Sequence, residues 1–179
     1  MEILQTINRP LSDEDIRDIL GPDCTIMKYS GLAEYSDLDD LLPKLKDYAI
    51  MLYEEDENIG HWVGLLKYDN VFEFFDTYGL MPDKQLKWVN LKTRRSLNEA
   101  TPYLSNMLKQ ERYIHNHIKY QDLDRFVLTC GSHTVHWIYR LLTNNMGLGE
   151  YHKFMKELKE ESKFNYDMIV STIVKSKLN

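Results

Sequence analysis

Cys130 has the strongest claim to chemistry in this sequence. It is followed by Gly131 and then by Val135, Ile138, Leu141 and Leu142, an apolar stripe at helical spacing. The thiol therefore sits at or just before the first turn of a helix, where unpaired N–H groups and the positive end of the helix dipole stabilise a thiolate. A glycine beside the sulfur lets a substrate backbone approach closely. Alone, a cysteine entering a helix is more often a buried structural thiol than a nucleophile. Nucleophilic catalysis also needs a base, a group that orients the base, and a donor for the oxyanion.

His61 and Asp76 supply two of these on geometric grounds. Gly60 to Tyr68 and Val71 to Asp76 read as two strands joined by a tight turn at Asp69-Asn70. Positions 61 and 76 are nearly equidistant from that turn, so antiparallel pairing brings them together. The aspartate can then accept a bond from one imidazole nitrogen, leaving the other to take a thiol proton. Without Cys130, the simpler reading is a strand-end histidine and a turn-forming aspartate.

The elements that must position these residues follow from periodicity and punctuation. Ser12-Asp13-Glu14-Asp15 before Ile16, Ile19 and Leu20, with Gly21 behind, predicts a short capped helix. Cys24 to Tyr35 reads as loop or short strand, and Ser36 to Leu45 as a short helix interrupted at Pro43. Tyr48 to Tyr53 is an apolar run that suits a buried strand, ending in a solvated acidic loop, Glu54 to Asn58. Thr77 to Asp83 is a loop. Ser96 to Glu111 reads as a helix opened by a Ser96/Glu99 capping box, and Tyr113 to Tyr120 alternates as a strand. The Cys130 helix ends near Asn144-Asn145, and helices are expected over Tyr151 to Ser162 and Tyr166 to Val174. This order predicts an α+β fold, a mixed or antiparallel central sheet flanked by helices, as one domain over residues 1–179.

Composition narrows the class. With 43% hydrophobic and 12% aromatic residues the chain has the make-up of a folded protein, and a net charge of −6 gives no support for a DNA-binding surface. No signal peptide is visible at Met1 to Pro10, and no run reaches the ~18 apolar residues of a membrane span, so no membrane partner is expected. Two cysteines far apart do not make a disulfide framework and suit a reducing compartment; Cys24 reads as packing.

Together, Gly60-His61-Trp62 on a strand, Phe75-Asp76-Thr77-Tyr78-Gly79 after a hairpin, and Gln121 upstream of Cys130-Gly131 resemble the adenain-like cysteine peptidases. That clan also holds the SUMO- and ubiquitin-like-deconjugating peptidases, with the catalytic order His, Asp (or Glu, Asn), Gln, Cys. The run Asp76-Thr77-Tyr78-Gly79-Leu80-Met81-Pro82-Asp83 is most similar to maturation proteases of adenoviruses, virophages and large DNA viruses. The resemblance covers about His61 to Arg140. It implies an adenain-like fold in which Cys130 is the nucleophile, His61 the base and Asp76 its orienting group. Gln121 and the Cys130 backbone N–H would hold the oxyanion. Trp62 would wall a narrow substrate channel, a role to set against an ordinary core aromatic.

The implied task is processing capsid or other structural precursors in the virion or at a cytoplasmic assembly site, with an activating peptide possible and no cofactor. An isopeptidase acting on ubiquitin-like modifiers, an acyltransferase and an inactive binding module are the competing functions. Gln121 lies nine positions before Cys130, more than is usual in the family. Either Asp122 to Val127 is an insertion or another group is the donor. Gln110, the other glutamine nearby, falls in the expected helix.

Other clusters carry less. His115 and His117 would face the same side of a strand with no carboxylate pair beside them, and His133 and His136 share a helix without further ligands, so no metal site is expected. His133 stands near Cys130 in sequence, but its place on the same helical turn points it elsewhere. The acidic run Glu54 to Glu57 is most simply solvated, or borders the cleft and favours basic substrate residues.

Overall fold

The apolar runs that follow Tyr48 are continuous rather than alternating, as expected of strands covered on both faces. In the computed structural model, which describes residues 8–124 and 126–178, they form the middle of a five-stranded mixed sheet. The strands are β1 (Thr25–Lys28), β2 (Tyr48–Asp56), β3 (Ile59–Tyr68), β4 (Val71–Phe75) and β5 (Tyr113–His115), in that spatial order. β1 runs parallel to β2 and β5 parallel to β4, while β2–β3 and β3–β4 are antiparallel. The hairpin turn has φ 47° at Asp69 and 58° at Asn70, the paired left-handed conformation of a type I′ turn, which aspartate and asparagine tolerate. The molecule is α+β, a mixed sheet flanked by helices.

Seven α-helices are described: α1 (Asp13–Leu20), α2 (Leu38–Leu41), α3 (Leu91–Ser96), α4 (Tyr103–Leu108), α5 (Cys130–Asn144), α6 (Leu148–Ser162) and α7 (Tyr166–Leu178). Strand alternation sends Ile50, Leu52, Trp62, Leu66 and Phe75 to one face of the sheet, where they pack with α1, α5, α6 and α7. Ala49, Met51, Val63, Leu65 and Phe74 go to the other face, under α2, α4 and a 3-10 turn at Tyr29–Glu34. α5 lies directly on β3. A side chain at Gly64 would come within 2.8 Å of the Trp137 ring, so only glycine permits that approach. Phe75 stacks on Trp137 at 4.9 Å between centroids, which fixes the end of β4 against α5.

α1 has the expected capping box, Ser12 Oγ accepting from Asp15 N–H at 3.2 Å and Asp15 accepting from Ser12 N–H at 3.0 Å. Its stop at Gly21 uses φ 100°. Several expectations are corrected. The helix expected over Ser96 to Glu111 is two short helices, α3 and α4, split by a turn. Glu99 is buried there and accepts the Glu54 N–H instead of capping Ser96, and Pro102 starts the second helix. The strand expected to reach Tyr120 stops at His115, because the Asn116 side chain bonds the Asp76 carbonyl and the Ile118 N–H and turns the chain away. The helix expected over Ser36 to Leu45 spans only Leu38–Leu41, ahead of Pro43. α6 begins at Leu148, three residues early, since the Glu73 carboxylate of β4 accepts the Leu148 N–H. The acidic run is not a free loop: β2 extends to Asp56, and Glu54 is buried, paired to Lys28 at 3.0 Å. No described helix is long and apolar enough to cross a membrane.

Candidate active site

The hairpin register pairs Gly64 with Phe75 and Leu65 with Phe74. Extended by one step, it sets Asp76 opposite Val63, so His61 stands one same-face position further along β3 than a direct pair. A diagonal of that kind is within reach of a long or aromatic side chain. The imidazole closes it: His61 Nε2 lies 3.2 Å from Asp76 Oδ1, and both side chains are buried. Since a carboxylate can only accept, Nε2 carries the proton.

Asp76 Oδ1 also accepts the Tyr78 N–H at 2.8 Å, and the Asp76 carbonyl accepts from Asn116 Nδ2 at 2.6 Å and from the Gly79 N–H at 2.8 Å. The carboxylate is thus fixed from both sides of the turn that follows β4. Its Oδ2 is buried without a hydrogen-bond partner among the described residues.

The other side of the imidazole meets Cys130. The ring and the thiol hydrogen-bond each other, and with Nε2 committed to Asp76 the nitrogen left for the sulfur is Nδ1. Burial alone would raise the thiol pKa, but the His61 charge and hydrogen bond, with backbone N–H groups of Trp62 and Gly131, bring it below the ordinary thiol value. Burial opposes the imidazolium in the same way. The adjacent sulfur and Asp76 outweigh it and push His61 up to about 10. Both shifts favour a thiolate–imidazolium pair. Tyr78 stacks on the His61 ring at 4.8 Å and 16°, and Trp88 packs on Tyr78 at 5.4 Å, so the imidazole plane is held by an aromatic neighbour.

Gln121 is buried beside this turn. Its backbone N–H and that of Tyr120 both donate to the Thr77 carbonyl, and its Oε1 accepts from Thr77 Oγ1 at 2.8 Å. Its Nε2 donates to the Val127 carbonyl at 2.7 Å, which uses one of two amide hydrogens. The fold therefore ties Gln121 to the residue that follows Asp76.

Trp62 and Gly131 come together. Trp62 packs in the helix-side core, lends its backbone N–H to the sulfur, and donates Nε1–H to the Leu11 carbonyl at 3.2 Å. A Cβ at Gly131 would lie 3.1 Å from both Leu11 Cβ and Trp62 Cδ1, so the space that glycine leaves is taken by the chain's own side chains. Trp62 and Leu11 also line a groove of about 890 Å³, floored by Ile26 and Met27 of β1 and flanked by Gly60 and Leu128.

The remaining candidates separate from this site. His133 is fully buried and turned to Asp167, Nε2 to Oδ1 at 3.0 Å, not to the sulfur. His136 Nδ1 and the Tyr151 hydroxyl share a hydrogen bond at 3.0 Å, and burial lowers the imidazole to about 3. His115 and His117 no longer share a strand, and among the described residues no group of three or more His, Cys, Asp or Glu is arranged to hold a metal ion. Cys24 is a buried free thiol whose neighbour is the Arg17 guanidinium at 3.8 Å, and burial raises it. Reading the sequence missed Leu11, Tyr78, Asn116, Thr129 and Asp167. Only Tyr78, inside the Asp76–Asp83 run, carried a local signal.

No family model matches the chain. The sequence is 33% identical over 167 residues to a protein of the Sputnik virophage, "Uncharacterized protein V9", covering 91% of this chain and 93% of that protein.

Proposed function

We propose that this chain, which belongs to the same family as the Sputnik virophage protein V9, is a cysteine endopeptidase of the adenain-like kind. One observation carries the reading: a buried imidazole held by Asp76 on one nitrogen and offered on the other to a thiol in the first turn of a helix. The resemblance of Gly60-His61-Trp62, Asp76 to Asp83 and Cys130-Gly131 to that clan supports the fold assignment, and the virophage relative supports a viral setting.

The chemistry follows from the protonation states. With His61 cationic and Cys130 anionic, Sγ attacks the substrate carbonyl carbon and the carbonyl π electrons move to oxygen. Helix N–H groups at Cys130 and Gly131, which lack an intrahelical acceptor, and the second amide hydrogen of Gln121 receive that oxyanion. His61 gives its proton to the leaving amine as the C–N bond breaks, leaving a thioester. Water, deprotonated by the now neutral imidazole, attacks the thioester, and the carboxylic acid leaves with regeneration of the thiolate. Asp76 keeps the ring oriented throughout and stabilises its charge.

The substrates in this reading are capsid or other structural precursors cut during virion maturation, so the enzyme works in the virion or at the cytoplasmic assembly site. The test is incubation of wild-type and Cys130→Ala protein with the structural precursors of the virus, followed by mass spectrometry of new N-termini. Cleavage by wild type alone is expected. Release of a ubiquitin-like modifier from a conjugate, with the precursors left whole, would replace the endopeptidase with an isopeptidase. Identical behaviour of the two proteins in both assays would end the peptidase reading.

A further inference from the structure

The segment that joins Gln121 to the nucleophile holds the exposed apolar side chains of Leu123 and Leu128, and both of its ends meet one carboxylate from outside the resemblance. Asp167, in the first turn of α7, is buried. Its Oδ2 accepts the Asp122 N–H at 3.1 Å, next to Gln121. Its Oδ1 accepts from Thr129 Oγ1, next to Cys130, and from His133 Nε2 at 3.0 Å, one turn into α5.

We propose that Asp167 is a positioning residue of the peptidase site, a staple that closes the 122–129 loop and so fixes the distance between Gln121 and Cys130. The inference rests on the peptidase reading above. The described residues of this loop bury little apolar surface, so polar ties such as that from Gln121 Nε2 to the Val127 carbonyl must offset the conformational entropy of closing it. A carboxylate accepting three donors at the two ends adds to those ties. The ionised form suits the role. Burial would raise Asp167, but His133, Thr129 and Asp122 together hold it below the usual carboxylate value, and charged acceptors make the stronger hydrogen bonds. Thr129 makes no side-chain cap to its own helix, so its hydroxyl serves Asp167.

Two variants of the full chain test this, Asp167→Asn and Thr129→Val, with wild type beside them. Three quantities are read: kcat and KM on a peptide that spans a precursor cleavage site, the pH profile of Cys130 alkylation by iodoacetamide, and Tm. A misplacement of the nucleophile predicts a kcat lower by about tenfold or more in Asp167→Asn, with KM within about twofold. The alkylation profile should move to higher pH as the His61 contact loosens. Thr129→Val, which removes one arm only, should shift both in the same direction by less. Should Asp167→Asn not fold, Thr129→Val decides. Folded variants with wild-type kcat and wild-type alkylation profiles would overturn the staple, as would a kcat loss that only matches a smaller folded fraction. Absence of any peptide cleavage by wild type would instead sink the peptidase reading, and the alkylation profiles would still judge the staple.

Discussion

His61 Nε2 reaches Asp76 Oδ1 at 3.2 Å although the two residues are not opposite each other in the hairpin. The offset is one same-face step, which the imidazole spans, and the stacked Tyr78 holds its plane. Orientation of the imidazole is therefore a property of the strand register and of the turn after β4 rather than of either residue alone.

The two free thiols should differ in reactivity. Cys130 is lowered by its His61 neighbour and by backbone N–H groups, and Cys24 is raised by burial. The nucleophilic pair exists above the lowered pKa of Cys130 and below that of His61, about 10. Below the ordinary thiol pKa of about 8.5, iodoacetamide should modify Cys130 in preference to Cys24. The rate should rise through an acid limb below the ordinary thiol value. His61→Ala should move that limb upward. Mass spectrometry of alkylated peptides across pH reads all three outcomes, and preferential labelling of Cys24 would contradict the assignment.

Asp76→Asn keeps an oxygen for the Tyr78 N–H but removes the charge that sustains the imidazolium. The amide can also turn its NH2 toward His61 and impose the wrong tautomer. Peptide cleavage should fall by on the order of 10² or more, the range for loss of general acid–base function, while Tm changes little. Steady-state kinetics with a parallel melting curve separates these effects. A large fall in Tm with kcat per folded molecule unchanged would make Asp76 merely structural.

How much of this was legible in the sequence depends on whether the signal was local. The type I′ turn at Asp69-Asn70, the capping box of α1 and the helical stripe behind Cys130 are written in adjacent residues, and all three form as read. The failures share a cause: partners distant in sequence. Glu99 looked like a helix cap but is claimed by Glu54 of β2, and Asn116 looked like a strand residue but is claimed by the Asp76 carbonyl. Asp167 looks like any surface acid of a first turn until folding brings Asp122, Thr129 and His133 around it. Gln121 was found only through resemblance. Its bond to Val127 is a loop contact that no period encodes.

Glu73 gives a pH dependence of stability with a definite sign. Burial raises its carboxyl to about 7 against the Leu148 N–H bonds that lower it, and burial raises Glu99 to about 7 as well. Both folded values lie above the unfolded ones, so the native state binds more protons between them. Stability from these groups is full below the unfolded carboxylate pKa, about 4.3, and is lost as pH rises through about 7. Tm should therefore be lower at about pH 8 than at about pH 5, and Glu73→Gln should narrow the gap. An unchanged gap in that variant would show that Glu73 titrates normally.

Gly131→Ala tests the contact between the Cys130 helix and the Pro10–Ser12 segment. The added methyl would stand 3.1 Å from Leu11 Cβ and from Trp62 Cδ1, closer than ordinary carbon contacts. Neither neighbour yields freely: Leu11 is anchored through its carbonyl to the Trp62 indole, and Trp62 lends its backbone N–H to the sulfur. Relief must come from a shift of the Pro10–Ser12 segment or of the Trp62 ring, and overpacking of this kind costs about 1–3 kcal/mol. Urea unfolding should show that loss. A shift that carries the Trp62 backbone N–H away from Cys130 would also remove a donor from the thiolate, so Cys130 alkylation should slow on its acid limb. Leu11→Gly in the same molecule removes Leu11 Cβ, one of the two carbons at 3.1 Å, and should recover part of both readings. If stability returns in the double variant but alkylation does not, the thiolate depends on Gly131 itself. If neither returns, the clash lies elsewhere than at Leu11.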